Sequence, residues 1–106
     1  MPKYLIKATY TSEGAKGVTR EGGTGRRDTI AKLAENSGGK MESFYFAFGE
    51  TDAYVICDMP DNATAAAVAL AVNSSGAANV TTVVLMTPEE VDEARTKSVD
   101  YRAPGA

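Results

Sequence analysis

Two neighbouring segments in the middle of the chain constrain the fold most, because each carries apolar side chains at both alternating sets of positions. Residues 40–48 and 53–59 have the pattern of two β-strands joined by the tight turn Gly49-Glu50-Thr51-Asp52. If Ala47 lies opposite Tyr54, the first face carries Phe44, Phe46, Phe48, Val55 and Cys57, and the second carries Met41, Ser43, Tyr45, Tyr54 and Ile56. Neither face suits water, so we expect helices on the Phe face and the sheet of a second copy on the Tyr face.

A glycine-rich segment precedes this hairpin. The five glycines between residues 14 and 25 would each cost roughly 1 kcal/mol in a helix interior, so the segment predicts a broken or hinged helix. Ser12 is the expected cap of a short first turn, and a regular helix is expected only after Thr24. That helix should end at the Gly38-Gly39 pair.

The remaining elements complete the order β-α-β-β-α-β. Residues 3–10 and 80–86 alternate as a first and a fourth strand, and Asp61 or Asn62 can cap a second main helix. Thr87-Pro88-Glu89-Glu90 is a capping sequence for a short third helix. With right-handed crossovers, this order predicts an α+β fold, the ferredoxin-like sandwich, in which both main helices cover one face of an antiparallel sheet.

The length of 106 residues suits one domain, in which residues 98–106 are expected to form an extended C-terminal tail. The 11 basic residues are outnumbered by 14 acidic ones and adjoin only at Arg26-Arg27, which argues against a nucleic-acid partner. No apolar run approaches the ~20 residues of a membrane-spanning helix, and no targeting signal begins the chain. We therefore expect a cytoplasmic protein without a membrane partner.

Catalytic chemistry has few candidate residues. The chain has no histidine, and its single cysteine, Cys57, lies in an apolar run that predicts burial. Neither a metal centre nor a thiol nucleophile is therefore expected. Gly17 and Gly22 have the spacing of a phosphate-binding loop, but Gly23 stands where that loop requires lysine, so no nucleotide site is predicted. No other cofactor is predicted either.

Three arginines flank the glycine-rich segment. Arg20, Arg26 and Arg27 lie beside the predicted start of the first regular helix, where backbone N–H groups and guanidinium groups together can hold an anion. The alternative is that these arginines are solvated or form ion pairs between subunits around a hinge. Both interpretations stay open at the level of sequence.

A second candidate site lies on or near the sheet face that the helices leave free. Tyrosine hydroxyls there can orient a small organic ligand between two paired sheets. The residues of this predicted ligand set are Lys7, Thr9, Tyr10, Tyr45, Asp52 and Tyr54. The alternative is that the tyrosines only form the interface between subunits. For Asp52 we favour a structural bond to a nearby backbone N–H within the turn.

Five segments together carry a resemblance to a known family: Met1-Pro2-Lys3-Tyr4, Gly38-Gly39-Lys40, Phe44-Tyr45-Phe46, Gly49-Glu50-Thr51-Asp52 and Ala65-Ala66-Ala67 through Leu70. In these segments the chain resembles the GYD-domain family of small ferredoxin-like, dimeric α/β-barrel proteins. The glycine and aspartate of the family's name correspond to Gly49 and Asp52, whereas Thr51 replaces the tyrosine. The family is largely without assigned biochemistry, so the resemblance implies the fold and a dimer.

Three functional hypotheses follow. The first is a homo-oligomeric module, homodimer or larger, that binds a small organic or anionic ligand between sheets. The second is a cofactor-free oxygenase or isomerase of the dimeric α/β-barrel kind that acts on a small aromatic compound. The third is a structural assembly protein. An open, polar space between paired sheets would favour the first two, and a filled one the third.

Overall fold

The computed structural model describes all residues, 1–106, and contains a four-stranded antiparallel sheet. The strands are β1 (Lys3–Tyr10), β2 (Lys40–Phe46), β3 (Ala53–Asp58) and β4 (Ala78–Leu85). Their order across the sheet is β2-β3-β1-β4, so β2 and β4 are the edges. This order and the position of the helices confirm the predicted ferredoxin-like α+β fold.

Four helices connect and follow the strands. They are α1 (Ser12–Glu21), α2 (Gly23–Asn36), α3 (Asn62–Ser74) and α4 (Pro88–Ala94). Asp61 caps α3 by accepting a hydrogen bond from the Thr64 N–H, and Thr87 and Glu90 form the predicted capping box of α4.

The glycine-rich segment is more regular than its composition suggests. The expectation of no firm helix before Thr24 is wrong, because α1 is a helix of 10 residues whose cap is Thr11, not Ser12. A hinge is present, however, at Gly22, where a φ of 80° ends α1 and α2 begins at the next residue. Gly14 is needed in α1 because a Cβ there would overlap the Ala77 carbonyl oxygen, so glycine lets the helix lie close to the start of β4.

The hairpin register differs from the one predicted. Tyr45, not Ala47, lies opposite Tyr54, and residues 47–52 form a six-residue loop closed by a 2.8 Å hydrogen bond from the Ala47 N–H to the Asp52 carbonyl oxygen. A tight two-residue turn is therefore wrong, and Phe48 lies beyond the end of β2. The register differs by two residues, so the side chains keep their predicted faces except Met41, which an irregularity between Met41 and Ser43 turns toward the helices.

The core lies at one end of the helix-covered face, which we call the Tyr4 end. Its buried residues are Tyr4, Ala34, Cys57, Met59 and Ala65. The Tyr4 hydroxyl donates a hydrogen bond of 2.5 Å to the Asn62 side chain. Cys57 is buried as predicted, and burial raises the pKa of its thiol.

The C-terminal segment projects from the domain. Every residue from Met86 to Ala106 is exposed, and α4 has no buried residue. The radius of gyration is accordingly 16.8 Å, against about 13 Å for a compact domain of this size. None of the helices combines the length and apolar character needed to cross a lipid bilayer.

Candidate functional site

The strand geometry divides the predicted ligand set. Lys7, Tyr54 and Tyr45 lie in one row across β1, β3 and β2, since Lys7 is opposite Tyr54 and Tyr54 is opposite Tyr45. Thr9 follows Lys7 on the same face, which is the face opposite the helices and is called the open face below. These four residues are thus brought together as predicted, and their role in ligand binding stays a prediction.

Tyr10 does not join them. It is an even number of residues from Tyr4, and alternation along β1 puts both side chains on the helix-covered face. The placement of Tyr10 on or near the open face is therefore wrong. At this Tyr10 end of the sheet, the guanidinium carbon of Arg26 lies 5.8 Å from the centre of the Tyr10 ring, within the range of a cation–π interaction.

Asp52 fixes the loop of residues 47–52 to the Tyr10 end. Its Oδ2 accepts a hydrogen bond of 2.9 Å from the Tyr10 N–H, and its own N–H donates to the Ala8 carbonyl oxygen at 2.9 Å. The Asp52 carboxylate accepts a backbone hydrogen bond as predicted, but the donor lies at the end of β1 and not in the turn itself. The carboxylate makes no hydrogen bond through Oδ1, so that oxygen can accept one from another molecule.

One side of Tyr10 opens into a cleft of about 430 Å³, which we call the apolar cleft. Val18 of α1, Phe46 at the end of β2 and Phe48 of the loop form its apolar walls, and Asp52 lies at its margin. Phe48 is completely exposed and Phe46 is partly so. Large apolar side chains are thus left accessible to solvent around one concave surface.

The other side of Tyr10 opens into a smaller cleft of about 220 Å³, the arginine cleft. Arg20 and Arg26 line it together with Glu13 and Glu21. Arg26 approaches Glu21 with 4.0 Å between Nη1 and Oε1, while its Nε is buried without a hydrogen-bond partner. Two carboxylates balance the two guanidinium groups, so this cleft is not a simple anion site.

The third predicted arginine lies elsewhere. Arg27 pairs with its neighbour Asp28, with 3.1 Å between Nη2 and Oδ1, and it does not line the arginine cleft. The three arginines therefore do not form one anion-binding group, although Arg20 and Arg26 share one cleft. The separation follows from α2, on which adjacent residues such as Arg26 and Arg27 point about 100° apart.

Residues of α1 and α2, which meet at Gly22, line both clefts, whereas the loop of residues 47–52 lines only the apolar cleft. At Gly23, the first residue of α2, a Cβ would lie 3.3 Å from the Phe46 ring, so the start of the helix packs directly on that aromatic side chain. Val18 was not expected at a site, because nothing in the sequence distinguishes it within the glycine-rich segment. Phe46 lies against the start of α2 as predicted and also walls the apolar cleft, whereas Phe48, predicted on the same face, lies beyond β2 and is exposed.

Comparison with known proteins agrees with this fold. The model of the GYD domain family matches residues 4–94, from β1 to the last residue of α4. The chain belongs to the GYD family. Thr51, at the position of the family's tyrosine, is buried. No curated protein and no solved structure matches the chain. Because the family has no assigned function, the function must be argued from the geometry of the site.

Proposed function

We propose that this GYD-family chain is a binding module for a small, largely apolar molecule held in the apolar cleft beside Tyr10. The observation that carries the proposal is a concave surface of about 430 Å³ whose walls include the exposed side chains of Phe46 and Phe48. Ligand sites of small molecules typically measure about 300–1,000 Å³ and combine apolar walls with a few polar groups. The cleft has both features.

The side chains around the cleft favour an aromatic ligand that carries a hydrogen-bond donor. Phe46, Phe48 and Val18 offer apolar area for a ring. Oδ1 of Asp52 has no hydrogen-bond donor within the protein and can accept one from a ligand hydroxyl or amine. A phenol or an aromatic amine satisfies both features at once.

We also propose that copies of the chain associate through the open face. Tyr45 is 71% exposed there, and Tyr54 and Leu5 lie in adjacent rows on the same face. At one end of this face, Lys3 Nζ donates to Glu42 Oε1 at 2.7 Å and to Asp58 Oδ1 at 3.0 Å, and these bonds raise the pKa of Lys3. With these charges paired to one another, the aromatic and apolar side chains in the middle of the face suit contact with a second sheet, although Lys7 lies in the same row as Tyr45 and Tyr54.

Binding can be tested with 2-naphthol as a phenolic aromatic probe, followed by amide chemical shifts of the full chain. We expect the largest shift changes at residues of the apolar cleft. Phe48→Ser should weaken probe binding about tenfold, or about 1.4 kcal/mol, since large aromatic side chains are enriched among the residues whose truncation costs most. Tyr45→Ser, which removes another exposed aromatic residue from the open face, should leave the affinity unchanged.

The control separates the two locations that ligand binding could have. Shift changes confined to Lys7, Tyr45 and Tyr54, with normal affinity in Phe48→Ser, would put the ligand on the open face and overturn the assignment to the cleft. Native mass spectrometry of freshly purified protein should in addition detect a bound small molecule. We expect the bound molecule to be absent from the spectrum of Phe48→Ser and present in that of Tyr45→Ser.

A further inference from the structure

We infer that the edge of the domain formed by α3 and β4 is a second self-association surface, where two copies pair their β4 strands antiparallel around a two-fold axis. This surface, called the β4 edge below, is separate from the open face and does not involve the apolar cleft. Its occupant is a second copy of this chain.

The first observation is an absence of charge. Residues 62–88 contain no Asp, Glu, Lys or Arg, although charged residues make up 24% of the chain. This stretch forms α3 and β4, which pack side by side at one edge of the domain. The central part of a protein interface is depleted of charged residues, so the composition suits contact with a surface that is equally free of charge.

The second observation is an unprotected strand edge. β4 pairs only with β1, in a continuous register from Leu85 opposite Lys3 to Ala78 opposite Tyr10, without proline or bulge. The other edge of the sheet, β2, has the irregularity between Met41 and Ser43 and carries charged side chains. Natural sheets block exposed edges with bulges, charges and proline, and β4 has none of these.

The hydrogen bonds of β4 define the register of such a pairing. The Val80 N–H donates to Asn73 Oδ1 at 2.7 Å, so it points away from β1. Along a strand, the backbone N–H groups of successive residues point alternately to its two sides. The N–H groups of Thr82 and Val84 therefore point away from β1, as that of Val80 does. If both N–H groups donate hydrogen bonds to the β4 strand of the second copy, Thr82 lies opposite Val84 of that copy. Val83 then lies on the two-fold axis, opposite Val83 of the second copy.

The helix layer is compatible with the same symmetry. A groove of about 440 Å³ lies between α3 and β4 and is lined mainly by alanine and valine side chains. Leu70 is 70% exposed on its rim, and Val84 at its floor is 57% exposed. The groove has room for the Leu70 side chain of the second copy. An occupant must supply both an open strand edge and an uncharged apolar side chain, and the chain itself supplies both.

Sedimentation of the full chain with matched lysine substitutions tests the inference. Leu70→Lys should weaken self-association at least tenfold, because it places a charge in a contact that is otherwise free of charge. Val99→Lys, a similarly exposed apolar position in the C-terminal segment, should leave association unchanged. Tyr45→Glu should weaken only association through the open face. A wild-type monomer at 100 µM, or equal association of wild type and Leu70→Lys, would overturn the inference.

Cysteine cross-linking tests the register independently. In a non-hydrogen-bonded antiparallel pair the Cα atoms are about 4.5 Å apart, which a disulfide can span. Oxidation of Val83→Cys should therefore give a covalent dimer. Thr81→Cys, on the same face of the same strand, would lie about 14 Å from its counterpart and should remain monomeric. Equal cross-linking of the two variants, or none in Val83→Cys, would contradict the pairing.

Discussion

Tyr4 and Tyr10 lie on the same strand and the same face, yet their surroundings differ completely. Tyr4 is 1% exposed, and its hydroxyl is bonded to Asn62 within the core cluster. Tyr10 is half-buried between the apolar cleft and the arginine cleft. One face of one sheet is thus a hydrophobic core at its first end and a candidate binding site at its second. Strand alternation decides the face, and the covering segments decide whether that face is closed.

The covering segments differ in how completely they close over the sheet. At the Tyr4 end, a Cβ at Gly39 would overlap the Asp58 carbonyl oxygen, so glycine lets the connection after α2 lie directly on β3. At the Tyr10 end, the helices α1 and α2 meet at Gly22, and the loop of residues 47–52 ends beside them. The space between hinge and loop is the apolar cleft.

The largest expected effect comes from truncating the two tyrosines. Tyr4→Ala should lower the free energy of unfolding by roughly 3–5 kcal/mol, since it leaves a large cavity among packed side chains. Tyr10→Ala should cost only about 1 kcal/mol, because water can enter the clefts beside it. Urea unfolding of both variants gives the two values. Equal losses would mean that the Tyr10 end is packed as tightly as the Tyr4 end.

A smaller effect, of opposite signs, is expected from two glycines of α1. Gly14→Ala should destabilise by about 1–3 kcal/mol, since its Cβ would overlap the Ala77 carbonyl oxygen and force the helix away from β4. Gly17→Ala should stabilise by about 0.5–1 kcal/mol, because its Cβ would meet only the end of the Arg20 side chain at 3.9 Å and alanine favours the helix.

Thermal unfolding of the two glycine variants provides the measurement, and each variant is the control of the other. The close approach of α1 to Ala77 is what positions Val18 beside the cleft. Binding of 2-naphthol should therefore fall in Gly14→Ala and stay unchanged in Gly17→Ala. Stabilisation by Gly14→Ala would contradict the tight contact on which this end of the site depends.

The sequence predicts the elements better than it predicts their ends. Periodicity and caps identify the strands and the capped helices α3 and α4, because these depend on local chemistry. The glycine content predicts a hinge within residues 14–25 but not its place at Gly22. The displacement of Met41 depends on an irregular residue pairing that leaves no local mark. The number of glycines in α1 suggested a helix too costly to form, whereas the cost of Gly14 is offset by a tertiary contact.

The candidate site is harder to predict because it depends on which part of the sheet the helices and the loop leave uncovered. Lys7, Tyr45 and Tyr54 were correctly grouped, since alternation alone assigns them a common face. Tyr10 and Asp52 were predicted to belong to the same group. Tyr10 instead lies on the helix-covered face, and the Asp52 carboxylate accepts a hydrogen bond from the Tyr10 N–H. Phe46 and Phe48 follow the pattern of core residues, and only the positions of α1 and the loop leave them accessible.

The smallest expected effect concerns the charge at the cap of α3, at the Tyr4 end. Hydrogen bonds that Thr64 donates from its backbone N–H and its side chain lower the pKa of Asp61. A carboxyl group whose pKa is lower in the folded state stabilises the protein fully above its unfolded pKa, about 3.9, and loses that contribution as the pH falls through the folded value.

Asp61→Asn keeps the cap without the titrating charge. The melting temperature of the wild type should therefore exceed that of Asp61→Asn at pH 7, and the difference should shrink as the pH is lowered from about 5 through the folded pKa. The matched change Asp100→Asn, in the exposed C-terminal segment, should give no such pH dependence. A constant difference across this range would mean that the ionised carboxylate contributes nothing to closing the Tyr4 end.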